Sequence, residues 1–556
     1  MVLIEIQRSF SIFYSILRSV LQSIFCCSII GSMIDAAPCR KGRGITLSTQ
    51  NILILATMVI YLLGMVVIGV VCSKKNKSTD DFYLGGRKLG PLVTAMSAEA
   101  SDMSSYLLMG LPGLALLSGL ADVGWTAIGL AVGTYLNWLI VAKRIRRYSQ
   151  HIGAVTVPDF FSRRYHDDKN LLSLIAALVI IVFFIPYTAS GFNACGTLFS
   201  SLFGVDYFTA MIVSAVVIVL YTALGGFLAA STTDLIQSII MTIALIIVVF
   251  FGIHMAGGWD SVVSNAQSLP GYLSFTQTYD AASGTANAYT PLTIISTLAW
   301  GLGYFGMPHI LLRFMAIEDV KKLKTSRRIG STWVIISMAI AVLIGVVGNG
   351  MIHAGALDSI PAADSQRIII KISTLLSSYG VFPAIIAGLI LSGILAATMS
   401  TADSQLLAAA SSVTQDLLQG TFKLKLSNKA AMIIARLTVI LIAVVGVIWA
   451  RNEGSVFTIV SFAWAGFGAA FGPVVLLALF WKRSNKYGAL AGMIAGGVMV
   501  FVWKYCIAPI GGILNIYELL PAFVIAIIVN VVVSLATKAP EASVVKEYDE
   551  VSAMKD

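Results

Sequence analysis

The stretch that decides the fold is residues 92–113, LVTAMSAEASDMSSYLLMGLPG. It is long and apolar enough to cross a membrane, yet it carries two carboxylates, Glu99 and Asp102, and several hydroxyls, followed by Pro112. Charged groups in a membrane segment are costly unless they face a cavity or one another, so they indicate a transport pathway. Such a segment is a poor continuous helix, and we expect it to be a broken one.

The composition of the whole chain is that of a membrane protein. Of the 556 residues, 58% are hydrophobic and 12% are charged, and the mean hydropathy is +0.88. So few charges exclude a water-soluble enzyme, and so apolar a chain cannot stay disordered in water. The net charge of +10 comes from short basic clusters between apolar runs, which is not the pattern of a nucleic-acid-binding surface. The expected surroundings are a lipid bilayer.

Apolar runs long enough to cross a bilayer recur along the chain and predict thirteen membrane spans. Their expected limits are 51–72, 92–116, 121–142, 171–197, 207–226, 233–256, 289–312, 331–356, 380–406, 430–450, 456–481, 487–507 and 516–537. The sequence therefore predicts an all-α polytopic membrane protein. Its transmembrane domain is expected over 47–537 and a cytoplasmic tail over 538–556.

The charge of the loops predicts the orientation, because short cytoplasmic loops are enriched in Lys and Arg. The basic loops follow spans one, three, seven and nine; their cations are Lys74, Lys75, Lys77, Arg87, Lys88, Lys143, Arg144, Arg146, Arg147, Arg163, Arg164, Arg313, Lys321, Lys322, Lys324, Arg327, Arg328, Lys423, Lys425 and Lys429. The stretch 257–312 contains no Lys or Arg. We therefore expect a multi-pass protein of the cell inner (plasma) membrane whose first span begins outside the cell.

Residues 1–46 do not fit this pattern. Their basic residues are Arg8, Arg18, Arg40, Lys41 and Arg43. The first two interrupt an apolar stretch, and the other three would lie on the external side. One interpretation is a signal-like or additional membrane segment. The other, which we favour, is a non-native extension from an upstream start codon.

A second interrupted segment lies in span seven, where residues 300–309 read WGLGYFGMPH. Three glycines and a proline lower the helix propensity and remove one backbone donor. Unpaired backbone groups within a membrane are tolerated only where they line a cavity. Two interrupted helices at corresponding places indicate an inverted-repeat transporter, with repeats expected at about 92–256 and 289–481. The alternative is a pair of kinks that serve packing only.

The end of span nine supplies oxygen atoms in a run of hydroxyl side chains. Residues 396–405 read AATMSTADSQ, with four hydroxyl side chains beside Asp403. A hydroxyl in a membrane helix often only bonds the carbonyl one turn back. Hard cations, however, need several oxygen ligands, and hydroxyls together with carbonyls of a broken helix provide them without the strong field of several carboxylates. The expected cation is sodium.

Four aromatic side chains, Tyr106, Tyr187, Trp300 and Tyr304, are candidates for the wall of a pocket for an amphipathic ligand, because they pair apolar surface with a polar group. Packing is the alternative role for each of them. Asp234, at the start of span six, either caps that helix from the cytoplasmic side or belongs to the ion route.

Several motifs resemble the sodium/solute symporter family. They are DDFYLGGR (80–87), SDMS (101–104), LLMGLPG (107–113), GGFLA (225–229) with TD (233–234), GLGYFG (301–306) with PHIL (308–311), MST (399–401) and AWAGFGAAFGP (463–473). The resemblance covers about residues 48–537. It implies a leucine-transporter-like fold of two inverted five-helix repeats and sodium-driven import of a small amino acid, L-proline above all, by alternating access. Another amino acid, a sialic acid, a vitamin or a carboxylate is the alternative substrate, and a membrane sensor is a remote alternative function.

The resemblance also implies roles for individual residues. The sodium ligands would be the carbonyls of Ala100, Met103 and Ala397 and the hydroxyls of Ser400 and Thr401. The ion-coupling residues would be Arg87, Ser97, Asp102 and Asp234, with Asp403 and Ser404 resembling a second-ion arrangement. The substrate side would be formed by Ser104, Tyr106, Tyr187, Trp300, Tyr304, Met307 and Pro308. The chain departs from the family's proline symporters at Glu99, Tyr106 and Met307, where those carry Gly, Trp and Gln, so the substrate and the cation count stay open.

Overall fold

The computed structural model describes residues 48–73, 79–451 and 453–554. The interpretations of residues 1–46 lie outside these ranges, as do the expected loop cations Lys74, Lys75 and Lys77.

The described chain is almost entirely helical. Its first helices are α1 (Thr49–Ser73), α2 (Thr79–Leu84), α3 (Pro91–Ser105), α4 (Leu111–Ser118), α5 (Leu120–Leu136), α6 (Ala142–His151), α7 (Val157–Arg164), α8 (Leu171–Phe203), α9 (Tyr207–Met255) and α10 (Trp259–Ser268). A short antiparallel hairpin of β1 (Gln277–Asp280) and β2 (Thr285–Ala288) follows, with Gln277 opposite Ala288. The remaining helices are α11 (Pro291–Leu298), α12 (Pro308–Ala316), α13 (Leu323–His353), α14 (Ile368–Ser377), α15 (Val381–Ser411), α16 (Asn428–Trp449), α17 (Val456–Phe480), α18 (Lys486–Val502), α19 (Leu519–Ala536) and α20 (Ala542–Ala553).

Shorter helical turns connect or extend these helices. The π-helical turns are Tyr106–Gly110, Asn137–Val141, Ser412–Thr421 and Trp503–Ile507. The 3-10 turns are Gly85–Arg87, Ala299–Gly306, Val320–Lys322, Ala362–Arg367, Ala508–Ile510 and Gly512–Leu514.

Within the described residues, ten helices are long and apolar enough to cross a membrane, or eleven if the bent pair α11 and α12 is one span. The all-α polytopic class is confirmed, whereas the count of thirteen spans stays a prediction. The segment 92–116 is not among these ten helices; it is broken at Ser104 and rich in polar side chains. The segment 207–226 is represented by a shorter apolar helix, Tyr207–Leu220.

The predicted spans five and six both lie within the helical stretch α9, which has a kink between them. Its backbone leaves the helical region only at Gly226, with φ 66° and ψ −176°, a conformation that glycine adopts without a side-chain clash. The helical part that follows this kink, Gly225–Met255, begins nine residues before Asp234. The interpretation of Asp234 as a cap at the start of a helix is therefore wrong.

Two helices form most of the buried centre. Within an apolar stretch of 18 residues in each span, 89% of the residues are buried in α17 and 67% in the span that contains α15. The corresponding values are 28% for α1 and 22% for the span that contains α18. Helix α15 packs against α1, α3, α8 and α9, and α17 packs against α8, α18, α19 and the 3-10 turn Ala299–Gly306. Both broken segments therefore lie beside a deeply buried helix.

The predicted cytoplasmic tail contains a docked helix, α20. It buries Val544 and Val551, and the Met554 carbonyl accepts a hydrogen bond of 2.7 Å from Arg147 Nη1 at the end of α6. An exposed ion pair joins Lys482 Nζ to Asp549 Oδ2 at 2.5 Å. The tail is thus packed on a basic end of the helical bundle.

Candidate ion and substrate site

The helical path of residues 91–118 is interrupted at Ser104, as the sequence predicts. Its φ of 47° and ψ of −172° are rare for a residue with a side chain. The break is held locally, because the amide of Tyr106 donates a hydrogen bond of 3.1 Å to Ser104 Oγ and also pairs with the Met103 carbonyl. The break lies directly after Asp102, in a stretch where every residue from Thr94 to Ser105 is buried.

The second predicted interruption is also present. After α11 the chain tightens into the 3-10 turn Ala299–Gly306, becomes extended at Met307, and starts α12 at Pro308. The axes of the two helical parts differ by 48°. Three of the nine residues between α11 and α12 are glycines, and neighbouring helices approach their backbone closely.

The first break lies against α15 through a cluster of oxygen atoms. The Ser400 hydroxyl donates to the Ala100 carbonyl at 2.8 Å and lies 3.2 Å from the Ala397 carbonyl. The Thr401 hydroxyl donates to the Ala397 carbonyl at 3.2 Å. This oxygen cluster (Ala100, Ala397, Ser400 and Thr401) joins four of the five predicted sodium ligands; the fifth, Met103, is one turn along α3 from Ala100.

The chemistry of the oxygen cluster fits a monovalent hard cation. A hydroxyl that donates its hydrogen keeps lone pairs on oxygen, so both hydroxyls can still act as ligands. Two carbonyls and two hydroxyls provide neutral oxygens, which suit sodium better than a divalent ion. Among the described residues, no group of three or more His, Cys, Asp or Glu side chains is arranged to hold a metal ion.

Asp102, two residues after Ala100 on α3, is hydrogen-bonded to two of the predicted aromatic residues. Its carboxylate accepts a hydrogen bond from the Tyr304 hydroxyl, and its carbonyl accepts one of 3.1 Å from the Tyr187 hydroxyl. Tyr187 and Tyr304 are buried on two different helical segments, α8 and the 3-10 turn. One residue of the broken helix therefore holds aromatic residues of two different segments.

Beside Asp102 is a small cavity with a largely aromatic wall, the aromatic cavity. Its lining residues are Asp102, Met103, Tyr106, Leu130, Tyr187, Trp300, Met338, Val460 and Trp464. Trp300 stacks on Tyr106 at 5.7 Å between ring centroids and on Tyr517 at 5.2 Å. The cavity volume of about 10 Å³ admits at most one water molecule, so an amino acid can enter only if these rings move.

The structure separates some predicted substrate residues from this cavity. Ser104 lines a neighbouring cleft that also contains Thr401 and Gln405. Met307 and Pro308 are buried at the start of α12 and do not line the cavity. Their effect on a ligand would be indirect, through the position of the 3-10 turn.

The predicted ion-coupling residues divide into two groups. The first is a buried network of Ser97, Asp234, Arg313, Asp403 and Ser404, in which Asp403 Oδ1 accepts a hydrogen bond of 3.2 Å from the Ser404 hydroxyl. Asp234 Oδ2 accepts from the Ser97 hydroxyl at 2.6 Å and lies 3.2 Å from Arg313 Nη2. Arg313 also donates to Ser404 Oγ at 2.5 Å and to Ser97 Oγ at 3.0 Å. The Ser404 hydroxyl lies 2.9 Å from the Ser400 carbonyl, so the network is one helical turn from the oxygen cluster.

Arg313 was expected in a cytoplasmic loop, and that expectation is wrong. Its side chain is 1% exposed and belongs to α12, with its guanidinium 5.0 Å from the centre of the Phe227 ring. The buried guanidinium is compensated by the Asp234 carboxylate and two serine hydroxyls, which contact it, and by the nearby charge of Asp403.

The second group is Arg87, which lies apart from the network. Its guanidinium donates to the carbonyls of Met315 and Ala154 at 2.7 and 2.5 Å and to the Ser149 hydroxyl at 3.1 Å. Arg87 therefore joins the 3-10 turn Gly85–Arg87 to the ends of α6 and α12.

Glu99 is buried on the face of α3 that meets α5. Its Oε1 accepts hydrogen bonds from the Thr134 hydroxyl at 2.9 Å and from Trp138 Nε1 at 2.6 Å. Its Oε2 has no hydrogen-bond partner within the described part of the chain. The extra carboxyl thus contacts α5 and not the oxygen cluster.

Two functional candidates, Trp464 and Arg313, were not assigned to the site from the sequence. Trp464 lines the aromatic cavity, and its Nε1 donates a hydrogen bond of 2.7 Å to the Trp300 carbonyl. Its only sequence signal is its place in the glycine-rich motif of span eleven. For Arg313 the signal would have been its distance of only five residues from Pro308, within the helix that follows the second break.

Comparisons with known proteins agree with this geometry. The family model described as "Sodium:solute symporter family" matches residues 82–496. The osmoregulated proline transporter OpuE of Bacillus subtilis is 42% identical, over 88% of this chain and 96% of its own length. The sodium/proline symporter of Escherichia coli is 42% identical, over 90% of this chain and 96% of its own length.

A solved structure supports the fold. A sodium-coupled sialic acid symporter in a substrate-bound outward-open state superposes with a TM-score of 0.73, over 88% of this chain and 99% of that chain, at 19% identity. The leucine-transporter-like architecture is therefore confirmed, and the extent of the matching family model fixes the membership: the chain belongs to the sodium:solute symporter family.

Proposed function

We propose that the chain imports L-proline together with sodium by alternating access. It is a membrane transporter and not an enzyme, and a multi-pass protein of the inner membrane. The observation that carries the proposal is the contact of the first helix break with α15 through the oxygen cluster. The names of the relatives, a proline transporter and a sodium/proline symporter, support proline as the substrate.

Sodium would act by joining α3 to α15. Its ligands would be the carbonyls of Ala100, Met103 and Ala397 and the hydroxyls of Ser400 and Thr401. The position of Asp102, directly before Met103, would depend on whether sodium is bound. Because the Asp102 carbonyl accepts a hydrogen bond from Tyr187, which lines the aromatic cavity, ordering of the break by sodium would order the cavity wall. A ligand changes a conformational equilibrium only if it binds one state better, and this contact provides that difference.

The energy available is sufficient for concentrative uptake. One charge moving through about 100 mV releases about 2.3 kcal/mol. A tenfold sodium gradient adds about 1.4 kcal/mol. Together they sustain roughly a 500-fold accumulation of substrate with one sodium ion per cycle.

The proposed topology places the start of α1 outside the cell and α20 in the cytoplasm. The domain limits proposed are a transmembrane domain over 47–537 and a tail over 538–556, with repeats at about 92–256 and 289–481. Each repeat would start with a broken helix, α3 with α4 in the first and α11 with α12 in the second. The docking of α20 on α6, whose basic residues follow the positive-inside rule, supports this orientation.

A second candidate is sodium-driven import of another substrate of the family. The observation that favours it is Tyr106, which lies in the cavity wall where the family's proline symporters carry Trp. Its hydroxyl has no hydrogen-bond partner among the described residues, so a polar group of a different ligand can pair with it.

The test is uptake of radiolabelled proline by proteoliposomes, with and without an inward sodium gradient and with competing amino acids. The variant Ser400→Ala/Thr401→Ala should raise the sodium concentration for half-maximal uptake at least tenfold. Ser392→Ala is the matched control, because Ser392 lies on the same buried helix and only bonds the Gly388 carbonyl one turn back.

Three outcomes separate the parts of the proposal. Uptake that does not depend on sodium refutes the coupling. Sodium-driven uptake of another labelled amino acid, with no uptake of proline, corrects the substrate alone. An unchanged sodium requirement in the double variant refutes the ligand set.

A further inference from the structure

The second broken segment contains a carbonyl that its own helix cannot satisfy. In the 3-10 turn that contains it, the Tyr304 carbonyl would accept the amide hydrogen of Met307, but the backbone is extended at Met307 and makes no such bond. In an α-helix the same carbonyl would accept the amide hydrogen of residue 308. Residue 308 is proline, which has no amide hydrogen. A buried carbonyl without a partner is costly, so another group must supply the missing donor.

Asn137 supplies it. Its side-chain Nδ2 donates a hydrogen bond of 2.9 Å to the Tyr304 carbonyl, and the residue is fully buried. Asn137 begins the π-helical turn Asn137–Val141, inside the membrane span Leu120–His151. Its other side-chain polar atom, Oδ1, has no hydrogen-bond partner within the described residues. The bond to Tyr304 is therefore the hydrogen bond through which the Asn137 side chain is anchored.

The backbone of α5 is held against the same segment by glycines. A methyl group on Gly129 would lie 2.6 Å from the Leu298 carbonyl oxygen, and one on Gly133 would overlap Gly301. Such close approach leaves the 3-10 turn little freedom relative to α5. Asn137, one helical turn beyond Gly133, therefore meets Tyr304 at a fixed distance.

We propose that Asn137 is a positioning residue for transport, in addition to the function proposed above, on which this inference rests. It holds the main chain of Tyr304, whose hydroxyl donates to the Asp102 carboxylate. The second break is thereby joined to the first, which carries the oxygen cluster. Asn137 contacts neither ion nor substrate; it acts through Tyr304.

The test is a double-mutant cycle on sodium-driven proline uptake in proteoliposomes. Asn137→Leu keeps a similar volume and removes the donor, and Tyr304→Phe removes the hydroxyl. Each single change should raise the proline concentration for half-maximal uptake about fivefold, as expected for loss of one hydrogen bond. If Asn137 acts through Tyr304, the double variant should be no worse than the more impaired single variant.

Thr126→Val is the matched control. Thr126 is fully buried on α5, and its hydroxyl has no hydrogen-bond partner within the described residues, so its half-saturation should equal that of the unchanged protein. The amount of monodisperse protein in detergent is measured for each variant. If Asn137→Leu yields none, Asn137→Ala, which also removes the donor and adds no bulk, is put through the same cycle.

The inference is overturned if the Asn137 variant keeps the unchanged half-saturation, or if its effect multiplies with that of Tyr304→Phe. Uptake by the unchanged protein is measured first in the same vesicles. Its absence would count against the proposed function, whereas normal uptake with a multiplicative cycle would count against the role of Asn137 alone.

Discussion

Replacement of Arg313 should destabilise the protein more than replacement of Asp234, although the two form one ion pair. Both side chains are 1% exposed or less. Arg313→Gln leaves two buried carboxylates, Asp234 and Asp403, with no cation beside them. Asp234→Asn leaves Arg313 with Asp403 in the same network, and Arg313 keeps its bonds to the two serine hydroxyls.

The magnitudes follow from these contacts. Removal of one partner from a buried ion pair costs roughly 3–5 kcal/mol when the other charge is left alone, which is the expected loss for Arg313→Gln. Asp234→Asn weakens two hydrogen bonds, at about 0.5–1.5 kcal/mol each, for a loss of about 1–3 kcal/mol. The double variant leaves one carboxylate and should fall between the two.

The measurement is thermal unfolding of the purified variants in detergent, followed by tryptophan fluorescence. The buffer contains choline in place of sodium, because a bound cation would partly replace the missing guanidinium. Arg313→Lys retains the charge with fewer donors and should be less destabilised than Arg313→Gln. An Asp234→Asn variant that unfolds at or below the temperature of Arg313→Gln would refute the assignment of Asp403 to the same network.

Three further changes test other parts of the structure. Tyr106→Phe removes a buried hydroxyl without a described partner, so the unfolding temperature should stay the same or rise while half-saturation for substrate rises severalfold in the uptake assay. Gly303→Ala would place a methyl group 2.5 Å from Trp464 Cδ1, and we expect most of the folded protein to be lost on size-exclusion chromatography. Val551→Asp should release α20 and expose it to trypsin, whereas Asp549→Asn, in an exposed ion pair worth under about 1 kcal/mol, should leave the cleavage rate nearly unchanged.

The two helix breaks were predictable from the sequence because their causes are local. Glycines and Pro308 weaken the second segment wherever it is placed, and the polar run around Asp102 makes a poor apolar helix. The contact between Ala100 and Ser400 has no such local cause, since 300 residues separate them in the sequence. It was expected only because the motifs resemble a known family, and its binding of sodium stays a prediction.

The contacts that the sequence could not indicate depend on tertiary packing. A count of loop charges includes Arg313 as one more cytoplasmic cation, because the sequence does not show that Asp234 and Asp403 lie near it in the folded chain. Asn137 resembles any polar residue in a membrane helix until the Tyr304 carbonyl is placed next to it.

The glycine contacts between α5 and the 3-10 turn limit how this protein can change by mutation. When a large side chain replaces a small one in most interfaces, a second substitution opposite can restore the fit by removing volume. At Gly133 and Gly301 the facing residue is already a glycine, so no smaller replacement exists. Revertants of an alanine substitution at either position should therefore be true back-mutations or changes elsewhere that displace a whole helix.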